Sequence, residues 1–303
     1  MGDNHRNGKP DMSVNIAGVA FKNPVMTASG TFGSGMEYSD FVDLNRLGAV
    51  VTKGVSNVPW PGNPTPRVTE VYGGMLNAIG LQNPGMDVFI RRDLAFLQQY
   101  DTRVIVNVCG HSEERLGDES RVDMLEINVS CPNVKQGAIT FGTKADSLFG
   151  ITEKIKKIAR QPVIMKLTPN VTSIAEMAKA AEAGGADAIS LINTITGMKI
   201  DVERQRFVLA NKNGGMSGPA IHPVAVRMVY EAAGAGSIPI IGMGGVCTAE
   251  DALELMMAGA SAVAVGAANF HEPAATLQVL EGMEDYAERH HLNSISEIVG
   301  CVR

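Results

Sequence analysis

The sequence predicts an α/β protein that folds as a (β/α)8 TIM barrel with a single domain. Eight short apolar runs, rich in Val, Ile and small residues, alternate with stretches that have helical spacing. Glycine stands where a helix has to stop before a strand, in Leu47-Gly48-Ala49, Gly184-Gly185-Ala186 and Ala258-Gly259-Ala260. The main alternative is an open doubly wound sheet, but no G-x-G-x-x-G turn follows the first run. The closed barrel is therefore favoured.

Each of the eight runs has the features of a buried strand, because it is short, continuous and apolar. The runs lie near 24–28, 49–55, 103–109, 124–130, 162–168, 187–193, 238–243 and 262–266. Helical spacing of apolar residues predicts helices at 146–160, 172–183, 222–233 and 248–258. Several of these stretches are opened by Asp, Ser, Thr or Pro, which are typical helix starts.

Two connections depart from the regular alternation of strand and helix. After the second run, the string WPGNPTPRV is rich in Pro and Gly, which predicts an ordered excursion at 56–83 over the barrel mouth rather than a helix. The connection at 110–123 has room for a helix of two turns or fewer, so we expect the outer ring to be thin there. The barrel domain is expected to occupy 1–303, with a polar tail at 1–12.

Composition and charge restrict the classes of function. Hydrophobic residues at 45% and charged residues at 19% are ordinary for a soluble globular protein, and no apolar run is long enough to span a bilayer. A net charge of -6 gives no electrostatic reason to attract nucleic acid. The polar start MGDNHRNGKPDM resembles neither a secretory signal nor a targeting helix. We expect a cytoplasmic protein that binds small molecules, not nucleic acid or membrane.

Polar residues at the carboxyl ends of the apolar runs are the candidates for a functional site, because barrel enzymes carry their chemistry there. Lys53 and Lys166 end the second and fifth runs. No carboxylate is expected to adjoin either strand, so ligand contact is favoured over a salt bridge. Asn107, Asn128 and Asn193 end three other runs, and their amides suit the edge of a pyrimidine or flavin ring. The alternative is that each amide ties down a neighbouring loop.

Glycine clusters predict a phosphate site at the barrel mouth. The strings GGMSGP (214–219), GMGGV (242–246) and VGAANF (265–270) follow the last three runs. Loops after strands 7 and 8 are the usual phosphate cradle of such barrels, since backbone N–H groups can approach the ligand closely there. Each cluster alone is also compatible with a plain turn.

The cysteines divide into one functional candidate and three structural ones. Cys131 follows the fourth run in INVSCPNV, where Pro132 and polar neighbours predict a loop that faces the pocket. Its thiol is a candidate base or nucleophile. Cys109, Cys247 and Cys301 are expected to be small buried hydrophobes. No C-x-x-C pair and no metal-ligand spacing of histidines is present, so we expect no metal.

Seven strings together resemble the class 1 dihydroorotate dehydrogenases, which are flavin enzymes of pyrimidine synthesis. They are MTASGTFGSG, VTKGV, GGMLNAIGLQNPG, INVSCPNV, SLINT, GGMSGPAIHP and IGMGGV, in family order and in the expected barrel units. The resemblance runs from about residue 14 to the C terminus. It implies oxidation of (S)-dihydroorotate to orotate in UMP biosynthesis.

The resemblance also implies which residues bind cofactor and substrate. One FMN per chain would be held by Ser29, Lys53, Gly54, Asn107, Asn128, Lys166, Ile192, Gly218, Gly244, Gly245, Gly266 and Ala267. Dihydroorotate would be held by Lys53, Asn77, Ala78, Ile79, Gly80, Leu81, Asn128, Asn193 and Thr194. Cys131 would be the catalytic base that removes the C5 proton, while the C6 hydride passes to FMN. Lys166 would stabilise the reduced, anionic ring.

The segment INTITGMKIDVERQRFVLANKNGGMSGPAIHP resembles the NAD-linked class 1B catalytic subunit more than the fumarate-linked class 1A homodimer. In class 1B, a partner subunit carries FAD and a 2Fe-2S cluster. This agrees with a chain that lacks cluster-forming cysteines and a dinucleotide fingerprint. The resemblance implies a homodimer core plus two iron-sulfur/FAD electron-transfer subunits, which is a heterotetramer.

Two features depart from the family pattern, and three alternatives stay open. The 110–123 connection is several residues shorter than expected, and Ala267 stands where a hydroxyl residue is expected, although its backbone N–H remains available. The alternatives are a class 1A enzyme that uses fumarate, a related FMN barrel that acts on another dihydropyrimidine such as dihydrouracil, and a barrel that binds phosphate or scaffolds an assembly without catalysis.

Overall fold

Eight parallel strands close into a barrel in which each strand pairs with the next along the chain and the last pairs with the first. The computed structural model describes residues 9–109, 121–129 and 142–302. The barrel strands are β1 (Val25–Thr27), β2 (Ala49–Val51), β3 (Arg103–Val108), β4 (Met124–Asn128), β5 (Val163–Lys166), β6 (Ala188–Leu191), β7 (Ile240–Met243) and β8 (Ala262–Val265). All eight predicted runs contain a strand, and the predicted barrel is confirmed.

Helices cover the outside of the barrel and pack against their neighbours in chain order. They are α1 (Ala145–Lys156), α2 (Ile174–Ala183), α3 (His222–Ala233), α4 (Ala249–Ala258) and α5 (Ala275–Arg289). The first four agree with the four predicted helices. Short 3-10 turns lie at Leu44–Arg46, Pro219–Ile221, Ala267–Phe270 and Ile295–Ile298, and a helical segment at 86–97 includes a π-helical stretch, Phe89–Leu94.

Local sequence explains where two helices begin and how strands enter the core. The Ser173 and Thr248 side chains accept hydrogen bonds from backbone N–H groups of the first turns of α2 and α4. Every residue of β1, β2 and β5–β8 is buried, as expected for strands with helices outside and side chains filling the interior. Because both faces of these strands are buried, the strands appear in the sequence as continuous apolar runs.

Two of the junction glycines have a clear physical reason. A Cβ at Gly48 would lie 2.2 Å from the carbonyl oxygen of Asn23, so only glycine fits where the chain enters β2. Gly259 ends α4 with φ of 126°, a left-handed conformation that side chains with a Cβ rarely adopt.

A second sheet lies over the mouth of the barrel. Its four antiparallel strands are Val68–Val71, Gly74–Asn77, Asn213–Ser217 and Ile195–Met198, and we call it the mouth sheet. The first two strands form a hairpin within the stretch predicted as a mouth excursion. Small hairpins also join Val14–Ile16 to Val19–Phe21 and Ile200–Asp201 to Arg206–Phe207. The mouth sheet thus connects the loops after β2 and β6.

The structure tests some of the remaining sequence predictions and leaves others outside the described residues. Most of the short 110–123 connection lies outside the described residues, as does Cys131. The expectation of small buried cysteines is correct for Cys109 but wrong for Cys247 and Cys301, which are exposed. In the described part of the chain, no helix combines the length and apolar character needed to cross a bilayer.

Candidate active site at the barrel mouth

The carboxyl ends of the barrel strands and the mouth sheet line one open cavity of about 240 Å³. The residues predicted to hold FMN all contribute to its wall, namely Ser29, Lys53, Gly54, Asn107, Asn128, Lys166, Ile192, Gly218, Gly244, Gly245, Gly266 and Ala267. Sequence reasoning missed other wall residues, among them Val68 and Met75 of the mouth sheet and the half-exposed Phe270. Val68 and Met75 reach the cavity through the mouth sheet, and Phe270 ends the 3-10 turn that follows β8.

The residues predicted to hold the substrate lie in the same cavity, with one exception. Asn77, Ile79, Gly80, Leu81, Asn193 and Thr194 line it together with the residues above. Ala78 is fully buried and packs with Leu76 and Leu209 beneath the mouth sheet. Its methyl group therefore points away from the cavity.

A buried ion pair joins two barrel strands beside the cavity. Nζ of Lys166 lies 3.3 Å from Oε1 of Glu126, and both side chains are almost fully buried. The expectation that no carboxylate adjoins the Lys166 strand is therefore wrong. The two residues meet because β4 and β5 pair with Asn128 beside Lys166 and Glu126 beside Ile164. A glutamate inside the apolar run MLEIN is the sequence signal that could have revealed this pair.

Asn107 both lines the cavity and belongs to this buried network. Its Nδ2 donates to Oε1 of Glu126 at 2.6 Å, and its Oδ1 accepts from the Cys109 thiol at 3.6 Å. A Cβ at Gly54 would lie 2.6 Å from Sγ of Cys109 and 2.8 Å from Oδ1 of Asn107. Glycine at position 54 is thus needed for these two side chains to sit beside the cavity.

Lys53 lines both the main cavity and a second one. The second cavity is lined by Gly33, Ser34, Met36, Glu37, Lys53, Pro84, Arg92 and Asp93. Within it, Ser34 donates to the buried Asp93 carboxylate at 3.1 Å, and Arg92 pairs with the same carboxylate. The backbone N–H of Lys53 donates to Gly33 at 2.8 Å, which fixes the start of its side chain.

Asn193 and Thr194, in the loop after β6, are held by the loop after β5 and by the mouth sheet. Oδ1 of Asn193 accepts from the backbone N–H of Thr194 at 2.8 Å, and the Thr194 carbonyl accepts from Asn170 at 3.0 Å. A Cβ at Gly215 would lie only 2.0 Å from Oγ1 of Thr194. Gly215 pairs with Asn77 on one side and with Thr196 on the other, so its strand joins the two predicted substrate-binding segments.

Glycines shape the opposite end of the cavity. Gly218, Gly244 and Gly245 have φ values of 109°, 128° and 74°, which favour glycine. Nδ1 of His222 lies 2.9 Å from the carbonyl oxygen of Gly244 and supports this turn from behind. Sequence reasoning weighed His222 only as a metal ligand and so missed this contact. The carboxyl end of β8 continues through Gly266 into the 3-10 turn Ala267–Phe270.

Comparison with known proteins adds family relationships to this geometry. A family model described as dihydroorotate dehydrogenase matches residues 11–286. A protein of Lachnoclostridium phytofermentans named "Dihydroorotate dehydrogenase B (NAD(+)), catalytic subunit" is 65% identical, over 96% of this chain and 99% of the relative. A protein of Alkaliphilus oremlandii with the same name is 60% identical, over 96% of this chain and 98% of the relative.

A solved structure shows the same fold at lower identity. It is described as DHODH in complex with ferulenol from Eimeria tenella. The TM-score is 0.80 at 22% identity, over 100% of this chain and 91% of the other. At this identity, the match supports the barrel architecture but gives no information about the functional site.

Proposed function

This chain belongs to the dihydroorotate dehydrogenase family, and from that membership we propose that it oxidises (S)-dihydroorotate to orotate in the cytoplasmic pathway to UMP. In this proposal it is the catalytic subunit of an NAD+-linked, class 1B enzyme. The observation that carries the proposal is a single cavity at the barrel mouth. It gathers two lysines, three amides from barrel strand ends and three glycines with positive φ, namely Lys53, Lys166, Asn107, Asn128, Asn193, Gly218, Gly244 and Gly245.

The chemistry of the cavity fits FMN. The amides of Asn107 and Asn128 can both donate and accept hydrogen bonds, which suits the alternating N–H and C=O groups at the edge of the flavin ring. At the other end, Gly244, Gly245 and Gly266 offer backbone close to the cavity in the loops after β7 and β8, where barrels bind phosphate. Ala267 contributes its backbone there, so the missing hydroxyl removes no backbone donor.

The chain's own groups have distinct tasks in the proposed reaction. FMN, when bound, supplies the acceptor for the hydride on C6 of dihydroorotate. Cys131 takes the proton from C5 as the general base, and because a free thiol has a pKa of about 8.5, the rate should rise with pH. Lys166 supplies positive charge beside the ring, and Lys53, Asn193 and Thr194 orient the substrate from the cavity wall. Cys131 lies outside the described residues, and its role is carried by the resemblance of INVSCPNV.

The proposed partner is a second subunit with FAD and a 2Fe-2S cluster, which passes electrons to NAD+. The relatives' name "catalytic subunit" supports such a partner. Two catalytic chains would form the core of a heterotetramer. Tyr72, Met198 and Val202 expose apolar side chains on and beside the mouth sheet, which supports a protein contact on that face.

The first experiment distinguishes dihydroorotate oxidation from two alternatives. These are an FMN barrel that acts on another dihydropyrimidine and a barrel that has no catalytic activity. The purified chain is incubated with FMN, desalted and assayed with dihydroorotate and with dihydrouracil. Under anaerobic conditions, we expect a retained flavin band that dihydroorotate bleaches and dihydrouracil does not. No retained flavin would favour the scaffold, and bleaching by dihydrouracil alone would favour the related FMN barrel.

A second experiment tests the electron acceptor. The FMN-loaded chain is assayed with fumarate, and then with NAD+ in the presence and absence of the iron-sulfur/FAD subunit. We expect NAD+ reduction only with the partner and no fumarate turnover. Fumarate reduction by the chain alone would contradict the class 1B assignment and support class 1A.

A further inference from the structure

A buried carboxylate beside the cavity has no task in the proposed reaction. Glu126 on β4 is 1% exposed. Its Oε1 accepts from Nδ2 of Asn107 and Nζ of Lys166, at 2.6 and 3.3 Å, and its Oε2 accepts from Oγ of Ser190 at 2.8 Å. The three donors stand on β3, β5 and β6, so the carboxylate reaches across the barrel interior to bind them.

Two of these donors also form the wall of the cavity. Asn107 and Lys166 line the cavity, whereas Ser190 is fully buried on β6. Glu126 therefore determines the orientation of two side chains that would meet a ligand, without touching that ligand itself. A buried carboxylate that aligns two donors from different strands is a positioning group.

The ion pair also determines the charge that a ligand meets. The side chain of Lys166 is almost fully buried, and Coulomb interactions are stronger there than in water, so Lys166 alone would present a strong positive charge to a ligand. With Glu126 at 3.3 Å, the pair has a net charge near zero when seen from a few ångströms away. The stabilisation that Lys166 gives to negative charge in the cavity is correspondingly reduced.

We propose that Glu126 is a positioning residue that sets the reduction potential of the bound flavin, by orienting Lys166 and by compensating its charge. The inference rests on the proposed function, because it requires FMN in this cavity. The reduced ring carries a negative charge, so a neighbouring carboxylate lowers the midpoint potential. Removal of the carboxylate charge therefore raises that potential.

The test is the order of flavin midpoint potentials in a charge series, measured by anaerobic reduction against a reference dye. Glu126→Gln keeps the size of the side chain and removes the negative charge that lies 3.3 Å from Lys166. Lys166→Gln leaves the carboxylate uncompensated, and the double variant restores a neutral pair. We expect the midpoint potential of Glu126→Gln to be higher than that of the wild type and the potential of Lys166→Gln to be lower. The potential of the double variant should lie between those of the two single variants.

The size of the effect can also be stated. We expect Glu126→Gln to raise the equilibrium constant for flavin reduction at least tenfold, which is about 30 mV for a two-electron couple. Glu153→Gln is the matched control, because Glu153 is an exposed carboxylate on α1 that pairs with Lys157. Its potential should equal that of the wild type.

The outcomes separate this inference from a structural role and from the proposed function. Distortion of the site would shift both single variants in the same direction, and this result, or an unchanged potential in Glu126→Gln, overturns the inference. If Glu126→Gln does not fold, the double variant replaces it, because the double variant has no unpaired buried charge. The midpoint potential of the double variant must then be higher than that of Lys166→Gln. A wild-type chain that binds FMN but is not reduced by dihydroorotate contradicts the proposed function alone, whereas failure to bind FMN overturns both.

Discussion

Nδ1 of His222 lies 2.9 Å from the carbonyl oxygen of Gly244, a contact that ties the start of α3 to the turn after β7. Because a carbonyl oxygen only accepts, Nδ1 is the donor in this hydrogen bond. Nε2 of the same ring lies 3.0 Å from the Glu254 carboxylate on α4. His222 thus fixes the Gly244–Gly245 turn from the side opposite the cavity.

Replacement of His222 should therefore weaken FMN binding. The variant His222→Ala loses the donor to Gly244, and one such hydrogen bond contributes about 1 kcal/mol, or roughly a fivefold change in Kd. Quenching of flavin fluorescence on binding measures this Kd. His290→Ala is the control, because His290 stacks on Tyr286 at the end of α5. An equal Kd in the two variants would show that His222 does not support the turn.

Gly54 should tolerate no larger residue. In Gly54→Ala, the new Cβ would meet Cys109 and Asn107 within 2.8 Å, so we expect a loss of about 1–3 kcal/mol in unfolding free energy and weaker FMN binding. Urea unfolding of the chain measures the first effect. Gly150→Ala is a matched control, because its Cβ would meet nothing within 4 Å on helix α1, and alanine there should be neutral or stabilising. Equal losses in both variants would contradict the crowding argument.

Replacement of Gly215 should weaken substrate binding more than FMN binding. A Cβ in Gly215→Ala would collide with Thr194 and push the predicted substrate-binding residues apart. We expect the KM for dihydroorotate to rise about tenfold or more, as for a misplaced positioning group, while the Kd for FMN stays unchanged. Steady-state kinetics and flavin fluorescence separate the two. A parallel loss of FMN binding would contradict a role limited to the substrate loop.

The Cys247 thiol should react slowly with alkylating agents. Although Cys247 is an exposed residue, partial desolvation of its thiol raises the pKa, and the nearby Asp251 carboxylate raises this pKa further. Since the thiolate is the reactive form, its population appears at higher pH than in a free cysteine peptide, and alkylation should lag behind that peptide at pH 8. Mass spectrometry after timed iodoacetamide treatment measures the rate. In Asp251→Asn, the rate at pH 8 should increase, and a decrease would contradict the sign of the charge effect.

The barrel could be predicted from sequence because its determinants are local. Each strand is a continuous apolar run, and helix starts such as Thr248 and helix ends such as Gly259 are encoded by single residues. The positions of Lys53 and Lys166 at strand ends were sufficient to predict that both line the cavity at the barrel mouth. Their binding roles stay a prediction.

Features that depend on contacts between distant segments were not predicted from sequence. Glu126 reaches Lys166 only through the pairing of β4 with β5, and Gly215 meets Asn77 only in the mouth sheet. Ala78 stands within a predicted substrate loop, yet the sheet turns its methyl group into a small core. These outcomes follow from register and side-chain direction, which single-residue patterns do not encode.

The most direct test of the account is single-turnover reduction of the FMN-loaded chain by dihydroorotate under anaerobic conditions. Stopped-flow absorbance follows the bleaching of the flavin band in wild type and in Cys131→Ala. We expect rapid bleaching in wild type and a rate lower by at least about 100-fold in the variant, since general bases contribute such factors, with an unchanged Kd for FMN. Bleaching at an equal rate in both proteins would contradict the assignment of Cys131 as the base.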